Sequence, residues 1–120
     1  MEKVIEIDGK EVKFRATAAI PRLYRIKFGR DIMQDMGALR NALKKYQTEK
    51  TNFPVELLTV FENVSYLMAK HADNTIKADN VEDWLDGFES FSIYAVLPQL
   101  LELWQDNIAT LVQAKKKLGQ

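Results

Sequence analysis

The stretch RLYRIKFGRDIMQDM, residues 22–36, places a helix-ending signal directly beside a helix-starting signal. Gly29 is suited to the left-handed conformation that commonly closes a helix. Asp31 is a favoured N-cap residue, and Gln34 follows it at the spacing of a capping box. We therefore expect two helices joined at a sharp corner, which lets both apolar faces reach one core.

Helical periodicity extends from this corner in both directions. The segment before it begins with Pro21, a residue favoured in a first helical turn. The segment after it keeps apolar residues at the i, i+4, i+7 spacing of one helix face. The apolar positions are Ile20, Leu23, Tyr24 and Phe28 before the corner and Ile32, Met36, Leu39, Leu43 and Tyr46 after it.

The N-terminal residues 1–15 carry a β-hairpin signal. Asp8-Gly9 separates two strand-like runs, and a two-residue type I′ turn needs positive φ at both central positions. This turn pairs Ile5 with Val12, and it gathers apolar side chains on one face that must cover helices or a partner. That face consists of Ile5, Ile7, Val12 and Phe14.

A third helix is predicted from Pro54 to about Lys70, and it is apolar around most of its girth. Such a helix is either central in a bundle or presents a face to a partner. The expected polar arc consists of Glu56, Thr59, Asn63, Tyr66 and Lys70.

Two more helical segments are predicted in the C-terminal half. Asn80 is expected to cap the first, and Pro98 to kink or restart the chain. The stripe of the last helix is complete by about Leu111, and the polar, basic residues 113–120 are expected to be flexible. The apolar positions are Trp84, Phe88, Phe91 and Ala95 in the first segment and Leu97, Leu100, Leu101, Trp104, Ile108 and Leu111 in the last.

These patterns predict one mainly α domain over residues 1–120: a β-hairpin (1–15), then a helical core (20–112) that forms a small bundle of four to five helices. Hydrophobic residues make up 47% of the chain, which supports a packed core. The chain has no cysteine, no apolar run long enough to span a bilayer and no signal-peptide pattern at its start. We expect a soluble intracellular protein without disulfides.

The sequence offers no recognisable catalytic, cofactor or metal site. His71 is the only histidine and has no evident catalytic or metal partner. Asp31 and Asp35 lie four residues apart, but two carboxylates alone make a poor cation site. The five glycines are scattered singly, which excludes a phosphate-binding glycine loop. We therefore predict that the protein is not an enzyme.

A basic cluster interleaved with aromatic residues leaves a nucleic-acid interface as an alternative. The same pattern is produced by a solvated helix face whose aromatic residues turn inward. The net charge of zero, from 17 basic and 17 acidic residues, favours the solvated face. The cluster consists of Arg22, Arg25, Lys27 and Arg30, interleaved with Tyr24 and Phe28.

Two blocks give the chain a family resemblance. YRIKFGRD at residues 24–31 and VEDWLDGFESFSIYAVLPQLLELW at residues 81–104, with the hairpin start and the lysine-rich end, resemble tail assembly chaperones of long-tailed (siphovirus-type) phages and prophages of Gram-positive bacteria. The resemblance covers most of the chain. Its motif residues are Tyr24, Arg25, Phe28, Gly29, Arg30, Asp31, Trp84 and Leu85.

The resemblance implies a cytoplasmic protein that binds the long helical tape-measure protein, keeps it soluble and promotes tail-tube polymerisation around it. Such a protein is absent from the mature virion. The net charge of zero and the lack of a long apolar run independently predict no nucleic-acid partner and no membrane association, and we expect no cofactor. Family members are often also made as a longer frameshifted product that recruits the tail-tube protein. Lys115 to Lys117 are compatible with an adenine-rich slippery site for such a frameshift.

Holding a helical partner requires apolar surface rather than an active site. The candidates are Leu57, Phe61, Val64 and Met68 in the third helix and Phe88, Phe91 and Tyr94 in the aromatic run. For each of them a place in the core is the competing interpretation. A structural or host-interaction protein of a phage, with the same architecture, is the alternative function.

Overall fold

The computed structural model describes residues 1–118, and the side chains of residues 1–108. That part of the chain forms a two-stranded hairpin followed by five helices, which confirms the predicted fold class. The elements are β1 (Glu2–Ile7), β2 (Lys10–Arg15), α1 (Ile20–Phe28), α2 (Ile32–Glu49), α3 (Val55–Ala72), α4 (Val81–Leu85) and α5 (Ile93–Leu118). The flexible segment expected at residues 113–120 falls outside the described side chains, as do the lysines of the candidate slippery site.

The hairpin has the predicted turn and register. Asp8 and Gly9 both have positive φ, 56° and 73°, and Ile5 pairs with Val12 across the antiparallel strands. Helices cover the apolar face of the hairpin, because β2 packs on α3 and β1 packs on α5. Phe14 is fully buried there.

The corner between α1 and α2 forms as the sequence predicts. Gly29 adopts φ 67° and ψ 26°, and its N–H donates to the carbonyl of Arg25 at 2.8 Å. The carboxylate of Asp31 accepts the N–H of Met33 at 2.9 Å and so caps α2. The buried residues of both helices then face a single core.

Helix α3 crosses the centre of the molecule, and it is more buried than its pattern suggests. Tyr66, expected on the polar arc, is fully buried. Its hydroxyl donates to the carbonyl of Ala78 at 2.7 Å, so the loop between α3 and α4 covers the ring. This position on the arc was predicted wrongly, because loop coverage is not visible in helical periodicity.

The chain between α4 and α5 differs from the prediction. Helix α4 ends at Leu85, and α5 begins at Ile93 and continues through Pro98. Of the two predicted effects of Pro98, a kink or a restart, the restart is therefore wrong. The hairpin turn supplies the physical reason. Lys10 Nζ donates to the Gly87 carbonyl at 2.9 Å, and the Asp8 carboxylate accepts the Glu89 N–H at 3.0 Å. These bonds engage backbone groups that a continuous helix would use for itself.

No helix among the described residues is both long enough and apolar enough to cross a membrane. The largest fully buried side chains come from the hairpin and from helices α1, α2, α3 and α5. They include Phe14, Tyr24, Phe61, Tyr66 and Trp104.

Candidate functional site

A buried polar network lies at the corner between α1 and α2. The carboxylate of Asp35, only 3% exposed, accepts the hydroxyl of Tyr24 at 2.6 Å. Arg30 donates to both oxygens of the same carboxylate, from Nε and Nη2, at 2.8 Å each. A two-point contact of this kind fixes the orientation of both planar groups. No local sequence pattern predicted this role for Asp35.

The network determines the charge states of its members. The two hydrogen bonds from Arg30 hold the pKa of Asp35 below its usual range, although burial opposes this. Burial and the hydrogen bond to Asp35 raise the pKa of Tyr24. Asp35 is therefore ionised and Tyr24 neutral at ordinary pH.

The pair of carboxylates at Asp31 and Asp35 is not arranged as a cation site. Asp31 caps α2, and both oxygens of Asp35 are engaged by Arg30. Within the described residues, no group of three or more histidine, cysteine, aspartate and glutamate side chains is placed to hold a metal ion.

The first motif block is the corner itself. Gly29 and Asp31 shape the backbone, while Tyr24 and Arg30 hold Asp35. The ring of Phe28 lies 5.1 Å from that of Tyr24, and the carbonyl of Arg25 accepts the bond that closes α1. These motif residues therefore maintain the angle between two helices.

The basic cluster is divided between different partners. Arg30 is paired with Asp35, and Lys27 donates to the carbonyl of Asp79 at 3.4 Å. Of the interleaved aromatics, Tyr24 is fully buried and Phe28 is partly buried. Tyr24 cannot stack on a base from the surface, which favours the solvated-face interpretation of this cluster.

The second motif block forms an aromatic cluster. Trp84 is buried, with its ring 5.2 Å from Phe88, 5.3 Å from Phe91 and 5.9 Å from Tyr66. Leu85 is partly buried against the same core. The cluster gives the short helix α4 a fixed position that its five residues could not maintain alone.

The structure separates the candidate partner-binding residues into two groups. Phe61, Val64 and Met68 are at most 2% exposed. They are core residues, which corrects the sequence-based suggestion, because they contact no partner unless the fold opens. The others reach the surface in part, and Tyr94 is 44% exposed. The residues with accessible surface are Leu57, Phe88, Phe91 and Tyr94.

Tyr94 belongs to a second aromatic cluster, which the sequence analysis missed. Its ring lies 4.4 Å from Tyr46 on α2 and 5.6 Å from Phe53 in the loop before α3. These contacts hold an exposed aromatic ring in one orientation, so little side-chain entropy is lost when a partner covers it. Because the three rings come from segments that are far apart in the chain, no local sequence pattern predicts that they meet.

A groove of about 490 Å³ lies beside this second cluster, between α2 and the start of α3. The apolar part of its wall comes from Ala38, Ala42 and Leu57, and its rim is polar. The i, i+4 spacing of the two alanines is the sequence signal that indicates such a groove. Thr51, Asn52 and Pro54 border the groove. The buried Phe53, between Asn52 and Pro54 in the chain, packs against Tyr94, so the groove and the cluster are neighbours along this loop.

Comparison with known proteins found no matching family model, no matching curated protein and no matching solved structure.

Proposed function

We propose that this protein is a phage tail assembly chaperone that binds and solubilises the tape-measure protein and promotes tail-tube polymerisation around it. The observation that carries the proposal is the resemblance of the blocks at residues 24–31 and 81–104 to that family. In the fold, the first block forms the helix corner and the second anchors the aromatic cluster. The likeness therefore involves residues that determine the architecture.

The proposed contact surface joins Tyr94 to the groove that contains Leu57. A long helical partner that is rich in apolar residues would lay one face along this surface, as amphipathic helices do in hydrophobic grooves. Rigid aromatic rings beside a shallow apolar groove suit a chaperone, because they accept successive segments of different sequence. Binding of this kind requires no cofactor and no active site.

The proposal also covers the place of the protein in assembly. It acts in the cytoplasm of the bacterial host and is absent from the mature virion. A longer frameshifted product, where it is made, would bring the tail-tube protein to the tape measure. The accessible surface described above would then serve the tape measure only.

Coexpression with the tape-measure protein encoded by the same phage or prophage tests the proposal. We expect the tape-measure protein to move from the insoluble to the soluble fraction and to copurify with this chain. A tape-measure protein that stays insoluble would refute the proposal.

A matched pair of variants tests the contact surface separately. Tyr94→Ser should weaken copurification, because it removes the exposed ring. Ile26→Ser, at an apolar side chain that is 69% exposed on α1, should have no effect. Equal effects of the two changes would place the contact elsewhere, provided that circular dichroism shows both variants folded.

A further inference from the structure

A cavity of about 280 Å³ between α1 and α3 collects cationic and hydrogen-bonding side chains, although the chain as a whole is neutral. Its position is independent of the surface proposed for the tape measure. The residues that line it are Leu23, Lys27, Tyr66, Leu67, Lys70 and His71.

Two ammonium groups converge on one phenol ring in this cavity. Lys27 Nζ lies 5.5 Å and Lys70 Nζ 5.6 Å from the centroid of Tyr66. Lys70 donates to the Tyr66 hydroxyl at 3.1 Å and to the Ala78 carbonyl at 3.0 Å, and Lys27 donates to the Asp79 carbonyl at 3.4 Å. Because an ammonium group has three N–H donors, both lysines retain donors for a ligand.

The positive charge at this cavity is weakly compensated. The carboxylate of Asp79 lies 3.9 Å from Lys70 Nζ, and the Asp79 side chain is 96% exposed. An ion pair so open to water contributes little. Among the described residues, this is the one ion pair that either lysine makes. Two lysines beside one ring, with one solvent-exposed carboxylate near Lys70, leave positive charge at the cavity that favours an anion.

His71 adds a third group at the cavity wall. Its Nε2 is hydrogen-bonded to Thr17 Oγ1 at 2.9 Å, and among the described side chains the other ring nitrogen has no hydrogen-bond partner. Burial, with the charges of Arg15 and of the amino group of Met1, lowers the pKa of His71. An anion beside the imidazole would oppose those three effects and favour its protonated form.

We propose that this cavity binds a phosphate-type dianion, held by Lys27 and Lys70 with His71 as a third donor. Two ammonium groups and an imidazole match the charge and the tetrahedral oxygens of a phosphate group. Inorganic phosphate and the phosphate of a small monoester share this chemistry. A nucleic-acid strand fits less well, because it needs a continuous basic track, and Arg30, three residues after Lys27 in the chain, is engaged by Asp35. The inference does not depend on the chaperone function.

The single histidine makes the test direct, because one imidazole signal reports on the site. The pKa of His71 is measured by NMR in chloride, in inorganic phosphate and in glycerol phosphate at equal ionic strength. We expect both phosphates to raise the pKa relative to chloride and to shift the Tyr66 ring signals in a saturable way. A response to inorganic phosphate alone would identify the free anion as the ligand.

Three variants, each of which changes one charge, distinguish a specific phosphate site at this cavity from non-specific screening of surface charges by the anion. Lys27→Gln, at an exposed residue whose loss spares the core, should weaken phosphate binding about two- to fivefold, the range expected for one solvent-exposed ion pair. Asp79→Asn should strengthen it, because a competing carboxylate is removed. Lys44→Gln, on the exposed face of α2, should leave it unchanged.

The absence of a phosphate-specific shift would overturn the proposal. So would equal losses in Lys27→Gln and Lys44→Gln, because that result indicates non-specific screening. A short single-stranded oligonucleotide that shifts the His71 signal when phosphate does not would also overturn it, in favour of a nucleic-acid interface.

Discussion

At the scale of single residues, Gly29 and Gly37 show that the same substitution, glycine to alanine, can have opposite effects on stability at two positions. Gly29 has φ 67°, whereas Gly37 lies inside helix α2, and a Cβ at either would meet no atom within 4 Å. Gly29→Ala should therefore destabilise the fold by about 1 kcal/mol through backbone strain alone. Gly37→Ala should stabilise it by up to about 1 kcal/mol, since alanine is the better helix former.

Urea unfolding of the two glycine variants beside the wild type measures both effects. The decisive result is that the two changes in unfolding free energy have opposite signs, whatever their magnitudes. If Gly29→Ala were more stable than the wild type, one continuous helix would run through residues 20–49, and the corner would be wrong.

The contribution of Asp35 to folding stability is expected to depend on pH. Its pKa is lowered in the folded state by the hydrogen bonds from Arg30, so its stabilising effect is complete above the unfolded-state pKa of about 3.9. That contribution is lost as the pH falls through the lower folded-state value. At pH 7, Asp35→Asn should cost about 1–3 kcal/mol, since it breaks charge-assisted hydrogen bonds that are partly open to solvent.

The measurement is the difference in unfolding free energy between wild type and Asp35→Asn, in urea at pH 7 and pH 3. The difference should narrow at the lower pH. A difference that stayed constant would show that the carboxylate charge contributes nothing to the network.

At the scale of elements, the hairpin is attached to the helices mainly by its apolar face. Phe14 is fully buried, and Phe14→Ala should cost about 3–5 kcal/mol. The ion pair of Lys3 with Glu102, at 3.0 Å, joins β1 to α5 but is open to water. Glu102→Gln should change stability by less than about 1 kcal/mol. Thermal unfolding of the two variants checks the ranking, and comparable losses would contradict it.

Most elements could be predicted from the sequence, because their signals are local. The hairpin turn at Asp8-Gly9, the corner at Gly29 and the caps at Asp31 and Asn80 each depend on a few adjacent residues. The end of α4 depends instead on bonds from the hairpin turn to the chain after Leu85, some 80 residues apart in sequence. Hydrogen bonds between segments so far apart in the chain produce no periodic pattern in the sequence.

The candidate site was less predictable than the fold, for the same reason. Helical periodicity cannot distinguish a core face from a partner face, so Phe61, Val64 and Met68 appeared available although they are buried. The groove beside Leu57 requires two helices to be placed in space before it exists. The ring contacts of Tyr94 likewise join three segments.

At the scale of the whole molecule, balanced charge and a helical core with accessible apolar surface suit a protein that works by holding another protein. Tyr94, at the start of α5, contacts Tyr46 on α2, and the groove beside Leu57 lies between α2 and the start of α3. The motif residues lie apart from this surface, at the corner and in the Trp84 cluster. The residues that shape the corner and the Trp84 cluster therefore differ from those of the proposed contact surface, and we expect that surface to tolerate substitution while the fold is kept.

The most direct test of the proposed function is quantitative mass spectrometry of two samples from one phage preparation. One sample is the purified particles, and the other is the soluble complexes captured through the tape-measure protein before tails assemble. A chaperone should be abundant in the captured complexes and missing from the particles. A fixed number of copies in every particle, with none on the captured tape measure, would contradict that function and identify a structural component of the virion.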